Sequence, residues 1–241
     1  MSTSKLLLFG SPRIESNGLA MAVDTRKALA LAAYLGVTGQ RASRDVLAAL
    51  LWPDYDQARA ALRRTLSVLN KALGEGALDI DRQAVGLNQH GSIWIDVGQF
   101  RQRLAECRAH DHPEDQPCPS CLAPLEAAAG LYRGDFLAGF AVRDSPEFDD
   151  WQFFQAEGLR GELASALQRL IRLLITRGRF DEAITHARRW LSLDSLHEPA
   201  HRTLIELYAW AGHRAAALRQ YETCVRVLEQ ELGIAPLEVS P

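Results

Sequence analysis

Residues 57–73 read QARAALRRTLSVLNKAL, a stretch in which apolar and polar residues recur with helical spacing. The apolar side chains follow one another at intervals of four, four, three and four residues, at Ala58, Leu62, Leu66, Leu69 and Leu73. At about 100° per residue, these positions fall on one face of a helix. The stretch therefore predicts an amphipathic helix that packs against a core.

A polar stripe is centred roughly a third of a turn from the apolar one, so it can face outward. It comprises Arg59, Arg63, Ser67 and Asn70, with Arg64 and Lys71 on its flank. Guanidinium and amide groups form hydrogen bonds with base edges and phosphates. Arginines on a helix are also common on an ordinary solvated surface. These arginines lie on the third of three predicted helices, before a hairpin-like segment, and this position favours DNA binding.

The segments before this stretch predict a small sheet and two helices. Alternating runs at 5–9, 13–15 and 19–23, with Asn17-Gly18 between the last two, indicate antiparallel strands. Thr25 is expected to cap a helix running to about Leu35, with Gly36 and Gly39 ending it. Ser43 is expected to cap a second helix over residues 44–51, before Pro53. Asp54 or Asp56 is expected to begin the third.

The segments after it predict a wing. Residues 78–81 and 93–96 alternate as strands do, and the polar residues 82–91 between them are long enough to form the wing of a winged helix-turn-helix. Further candidate DNA contacts lie at the starts of the first two helices and in the wing: Arg26, Lys27, Arg41, Ser43, Arg44 and Arg82. Each of these is equally suited to a surface ion pair.

A repeat is visible in the second half of the chain. The segments GRFDEA at 178–183 and GHRAAA at 212–217 are offset by 34 residues. This period, with glycine at the turn and alanine at close helix contacts, is typical of tetratricopeptide repeats. About three repeats are needed to bury a continuous core. Helices over 122–132 and 147–160 are therefore expected to complete the stack.

Cysteines and histidines cluster between the two halves. Cys107 and His110 form one pair spaced by two residues, and Cys118 and Cys121 form a second. This spacing predicts a structural zinc site with those four ligands, and His112 is a substitute for His110. Four protein ligands close the coordination sphere, so catalysis is not expected. Free thiols in a loop are the alternative.

Composition narrows the function classes. The 241 residues are 47% hydrophobic and 24% charged, with a net charge of −3. Residues 1–97 carry eleven basic and nine acidic residues, against sixteen and twenty-one in the remainder, so a local basic face is possible. The sequence lacks a signal peptide and a membrane span, which predicts a cytoplasmic protein. It also lacks a metalloprotease motif, a nucleophile elbow and a phosphate-binding glycine loop, which argues against a zinc hydrolase or another enzyme.

Four sequence segments carry a family resemblance: TRKALALAAYL at 25–35, ASRDVLAALLWPD at 42–54, ALRRTLSVLNKALG at 61–74 and LYRGDFLAGF at 131–140. Together they resemble the antibiotic-pathway regulatory (SARP) family, in which an OmpR-type winged helix is joined to a bacterial transcriptional activator domain. The resemblance covers nearly the whole chain, and LYRGDFLAGF after the winged helix is its most specific part.

The resemblance implies a mainly α protein with two domains. A winged-helix DNA-binding domain is expected over residues 1–100. A tetratricopeptide-like activator domain is expected over 101–241, with a zinc knuckle at 105–123. The family implies binding to promoter DNA as a head-to-tail homodimer and activation through contact with RNA polymerase. The main alternative is a repeat-based protein scaffold whose winged helix does not bind DNA.

Overall fold

The computed structural model describes residues 4–23, 25–88, 93–110, 112–113, 116 and 118–233. The chain forms two compact units, which we describe separately. Unit 1 comprises Met1–Arg103 and Gly130–Leu159, and unit 2 comprises Leu104–Ala129 and Arg160–Pro241. The units do not follow the expected division near residue 100, because residues 130–159 group with the amino-terminal segment. No helix in the described part of the chain is long and apolar enough to cross a bilayer.

A four-stranded sheet in unit 1 has the order β3-β2-β1-β7. Its strands are β1 (Ser4–Leu7), β2 (Arg13–Ser16), β3 (Leu19–Ala20) and β7 (Ile93–Ile95). The hairpin at Asn17-Gly18 is confirmed, since Ser16 pairs with Leu19 across it. Both turn residues have positive φ, 51° and 80°, as a two-residue turn of this kind requires.

The next part of unit 1 forms three helices: α1 (Arg26–Thr38), α2 (Arg44–Leu51) and α3 (Ala58–Leu73). The predicted cap of α2 is confirmed, because Ser43 Oγ accepts a hydrogen bond of 3.2 Å from the Val46 amide. Thr25 lies at the start of α1 without a side-chain cap bond. Helix α1 runs through Gly36 to the left-handed Gly39. A Cβ at Gly36 would lie 3.0 Å from Leu6 Cδ2, so this glycine permits close packing on β1.

The predicted pairing across a long wing is wrong. A second sheet has the order β4-β6-β5, built from β4 (Ala42–Ser43), β5 (Leu78–Ile80) and β6 (Ala84–Leu87). Strand β6 lies inside the expected wing, while β7 pairs with β1 in parallel. The turn is tight because the Asp81 carboxylate accepts the Gln83 and Ala84 amides at 2.7 and 2.8 Å. Residues 89–92 of the expected wing lie outside the described residues.

The LYRGDFLAGF segment belongs to unit 1. The Gly10 amide donates to Asp135 O at 3.0 Å, and the Leu137 amide donates to Leu8 O at 2.9 Å. The rings of Phe9 and Tyr132 lie 4.5 Å apart. These contacts with the chain just after β1 explain why residues 130–159 group with the winged-helix segment.

The remaining helices are α4 (Asp96–Arg108), α5 (Leu122–Leu131), α6 (Pro146–Thr176), α7 (Phe180–Leu193), α8 (Glu198–Trp210) and α9 (Arg214–Leu232). Helix α4 was not predicted from the sequence. Only the first half of α6, which has 31 residues, was predicted. Leu163, Leu167, Leu170 and Leu174 continue the buried face of α6 without a turn signal.

The 34-residue repeat of the sequence corresponds to repeated structure within unit 2. Gly178 and Gly212 have positive φ, 67° and 80°, and α7 and α9 begin two residues after them. Helix α8 packs against both α7 and α9. Ala183 and Ala187 of α7 are completely buried, as close helix contacts require. The predicted fold class, a winged helix with small sheets followed by a helical repeat region, is confirmed.

Candidate nucleic-acid interface and candidate metal site

Helix α3 has the two faces that its sequence predicts. Leu62, Leu66 and Leu69 are at most 4% exposed, and they fix the rotation of the helix about its axis. Arg63 and Ser67 are exposed, and Asn70 is half-buried. Because burial of the leucines sets the rotation of α3 about its axis, the arginines of its polar stripe face solvent.

A groove of about 620 Å³ in unit 1 brings several candidate residues together. It lies where the starts of α2 and α3 approach the β5–β6 turn. Five predicted DNA contacts line it: Ser43, Arg44, Arg59, Arg63 and Arg82. Residues from three separate sequence segments thus form one surface, which is predominantly cationic.

Some of the arginines predicted to contact DNA have partners within unit 1. Arg59 forms an ion pair with Asp45 at 2.6 Å, with both side chains mostly exposed. Arg44 donates two hydrogen bonds, of 3.1 and 3.0 Å, to Asp81 O. Arg41 pairs with Asp79 at 3.3 Å and with Asp81 at 2.5 Å. These contacts hold the β5–β6 turn against the start of α2.

Other candidates have no such partner. Within the described ranges, no side-chain hydrogen bond or ion pair is formed by Arg63, Arg64, Lys71 or Arg82. All four are exposed. Their charges are therefore available to an external anion.

Two predicted phosphate contacts at the start of α1 also have structural roles. Lys27 donates a hydrogen bond to Leu51 O, and its ammonium lies 5.0 Å from the centre of the Trp52 ring. Burial lowers the pKa of Lys27, while Asp144 opposes this shift. Arg26 lies 5.0 Å from the Phe140 ring centre. Contact of either residue with DNA stays a prediction.

Backbone hydrogen bonds lower the pKa of Asp81. The largest contributions come from the Ala84 and Gln83 amides, followed by the Arg41 guanidinium, and together they lower this pKa to about 2. The charged carboxylate therefore stabilises the tip of the β5–β6 hairpin.

Sequence reasoning missed Asp96, a completely buried carboxylate in unit 1. It accepts the amides of Leu8, Phe9 and Val97 at 2.9, 3.0 and 2.8 Å. Burial raises the pKa of Asp96, and these three amides oppose that shift. An aspartate just before the apolar pattern of Val97 and later helical positions was the available signal, because aspartate is a common residue at helix starts.

Unit 2 contains a cluster of four metal-binding side chains between α4 and α5: His110, His112, Cys118 and Cys121. Their ligand atoms all lie within 4.8 Å of one another. Cys121 Sγ is 3.2 Å from His110 Nδ1 and 3.3 Å from His112 Nε2. Tetrahedral zinc, with bonds of about 2.1 Å to nitrogen and 2.3 Å to sulfur, places ligand atoms about 3.5 Å apart. The cluster therefore fits such an ion.

Local turns bring these ligands together. The His112 amide donates to His110 O at 3.0 Å, and the Cys121 amide donates to Cys118 O at 2.9 Å. Each bond closes a short turn, so both members of a pair approach the same point. The second turn is a short 3-10 helix over Pro119–Cys121.

The cluster differs from the predicted ligand set at one position. His112 joins His110, Cys118 and Cys121, whereas Cys107 lies outside the group. Cys107 is buried in the last turn of α4, and its Sγ is 3.8 Å from the carbonyl oxygen of Cys121. The two-residue spacing of Cys107 and His110 crosses a helix end, where spacing alone does not fix side-chain direction.

Burial is the main cause of a raised pKa at Cys121. Together with the neighbouring Cys107 and Cys118 thiols, it raises this pKa to about 12. A thiolate at Cys121 therefore needs a nearby cation at neutral pH.

Comparison with known proteins gives a family and a fold. Residues 95–239 match the family model of the bacterial transcriptional activator domain. The fold is similar to that of Mycobacterium tuberculosis EmbR in complex with a low affinity phosphopeptide, with a TM-score of 0.74 and 21% sequence identity. That match covers 98% of this chain but only 62% of the EmbR chain. No curated protein matches the sequence.

Proposed function

The chain belongs to the bacterial transcriptional activator domain family, and from this membership we propose that it is a transcriptional regulator that binds duplex DNA through α3. The family resemblance predicted from the sequence is confirmed.

The two-faced structure of α3 is the observation that carries the proposal. Its apolar face is buried, while Arg63 and Arg64 are exposed and unpaired with other residues that the structure describes. A helix of 16 residues with this arrangement fits the major groove, where arginine, serine and asparagine hydrogen-bond to base edges. In the proposed complex, Arg63, Arg64, Ser67 and Asn70 supply base-edge and phosphate contacts.

Neighbouring residues would set the position of α3 on the duplex. Arg82 at the β5–β6 turn and Lys71 on α3 are exposed, and both suit phosphate contacts. Such contacts fix register and orientation but carry no direct sequence information. Arg41, Arg44 and Arg59 are already paired with carboxylate or carbonyl oxygens, so we assign them smaller contributions.

We further propose that a zinc ion stabilises unit 2 through His110, His112, Cys118 and Cys121. The ion would link the end of α4 to the start of α5 and supply charge compensation for two thiolates. Because four protein ligands leave no position for a substrate or reactive water, the role is structural. This fits a regulator rather than an enzyme.

The family membership also supports two proposals about partners. One is assembly as a homodimer on direct DNA repeats, and the other is contact with RNA polymerase during activation. The helical repeats of unit 2 suit such contacts, because stacked helix pairs present extended surfaces to other proteins.

DNA affinity measurements at fixed salt test the central proposal. The full chain is first used to select a duplex from a random pool. We expect Arg63→Ala and Arg64→Ala each to weaken binding of that duplex by about 1–3 kcal/mol if they contact bases. Arg59→Ala is a matched variant on the same helix, and we expect a smaller loss because Asp45 already neutralises Arg59. Failure to select any duplex, or unchanged affinity in Arg63→Ala and Arg64→Ala, would contradict the proposal.

A further inference from the structure

A second groove in unit 1, which we call the Arg143 groove, lies along a different flank of α3. Its volume is about 650 Å³. The start of α1, one flank of α3 and residues 141–143 line it. Four of its lining residues are cationic: Arg26, Lys27, Arg64 and Arg143. Among the described residues that line it, none is acidic.

The backbone that carries Arg143 is fixed to the winged-helix segment. Ser145 Oγ donates to Leu51 O at 2.9 Å, and Gln152 Nε2 donates to Phe140 O at 3.0 Å. Arg26 donates to Gly139 O at 3.4 Å. Because contacts on both sides of residues 141–143 hold this segment, the backbone that carries Arg143 is held beside α3 before any ligand binds.

Two of the four positive charges in the Arg143 groove, those of Arg143 and Arg64, have no partner among the described residues, whereas Asp144 acts on Lys27. Arg143 and Arg64 are exposed, and neither side chain has a hydrogen bond or ion pair with the residues resolved in the ranges given above. Like charges around one groove repel each other, so an anion bound there would be stabilised. Guanidinium groups bind phosphate particularly well because their donors match its oxygens.

We propose that Arg143, with Arg64 and Arg26, binds a backbone phosphate of the duplex that α3 contacts. The inference rests on the proposed DNA-binding function and extends it. Arg64 connects the two surfaces, because it lies both on α3 and in the Arg143 groove. The apolar lining of Ala61 and Val68 suits the deoxyribose carbons beside a phosphate. Arg143 lies within the family-matched residues 95–239, so that region takes part in DNA binding directly.

The salt dependence of DNA binding tests this inference. Affinities of the full chain for a 30-base-pair duplex of mixed sequence are measured over a range of salt concentrations. Arg143→Gln is expected to lose one phosphate contact. The plot of log K against log salt should then be less steep by about 0.9, and the affinity at 0.1 M salt should fall about eightfold. Arg143→Lys keeps the charge and should keep most of the slope. Arg13→Gln is the matched control, because Arg13 is a half-exposed arginine paired with Glu15.

The outcomes separate this inference from the proposed function. A lower slope in Arg143→Gln, with normal slopes in Arg143→Lys and Arg13→Gln, supports the phosphate contact. If Arg63→Gln weakens binding while Arg143→Gln behaves like Arg13→Gln, the inference is wrong and α3 binding stands. Arg143→Gln would also behave like Arg13→Gln if the Arg143 groove binds an acidic protein segment and not DNA. If the wild-type chain binds no duplex at low salt, both are wrong. Thermal unfolding of each variant checks that the fold is intact.

Discussion

Helix α3 and the cluster of His110, His112, Cys118 and Cys121 both carry candidate functional residues, but different forces position them. In α3, burial of leucines at helical spacing fixes the direction of every arginine. In the cluster, short turns between α4 and α5 decide which side chains meet. The comparison teaches that periodicity determines a helical surface from sequence, while a loop site also needs backbone conformation. Predictions about the two sites can therefore be tested separately.

The largest expected effect concerns metal content. Cys121 Sγ lies close to both histidine nitrogens of the cluster, so Cys121→Ser should lose the single zinc ion expected per chain. Cys107→Ala is the matched control, and it should keep the metal because Cys107 lies outside the cluster. Elemental analysis after dialysis measures both. Retained zinc in His112→Ala together with lost zinc in Cys107→Ala would restore the ligand set predicted from spacing.

The next effect concerns the framework that supports α3. Asp96→Ala would leave the buried amides of Leu8, Phe9 and Val97 without their acceptor. Because leaving a buried polar group unsatisfied costs about 1–3 kcal/mol, we expect the free energy of unfolding to fall by about 3 kcal/mol. Denaturant unfolding measures this change. Asp79→Ala, which removes a half-exposed partner of Arg41, should cost less than about 1 kcal/mol. If Asp96→Ala and Asp79→Ala lower the free energy of unfolding equally, by less than about 1 kcal/mol, Asp96 does not support unit 1.

The smallest effect is a pH dependence at the β5–β6 turn. The pKa of Asp81 is lowered to about 2 from an ordinary value of 3.8. The turn is therefore stabilised above pH 3.8, and this contribution is lost as the pH falls through about 2. NMR titration of the Asp81 carboxyl carbon should give a midpoint near pH 2, and Arg41→Ala should raise it. A midpoint near 3.8 in the wild-type chain would contradict the turn geometry.

The sequence was sufficient for the regular elements whose signals are local. The leucine spacing of α3, Ser43 before α2 and Asn17-Gly18 each act within a few residues, and each prediction was confirmed. The pairing of β7 with β1 was not predictable from alternation, because register depends on contacts distant in sequence. Helix α6 was predicted only as far as residue 160, although it continues to Thr176.

The candidate sites were predictable to different extents. The polar stripe of α3 was identified in full, since a helix presents it as one surface. The metal cluster was recognised, but His112 replaced Cys107 because the His110–His112 turn brings both rings together. Arg143 was missed entirely. It lies far along the chain from α3, and only the folding of residues 130–159 into unit 1 brings it beside Arg64.

Chemical modification of arginines, read by mass spectrometry, tests most directly whether α3 contacts DNA. The full chain is treated with a phenylglyoxal reagent, with and without a duplex selected by the chain. We expect the duplex to slow modification of Arg63 and Arg64 while Arg13 reacts at an unchanged rate. Equal reactivity of Arg63 and Arg64 with and without the bound duplex would contradict the account. It would favour the alternative in which the winged helix serves protein contacts.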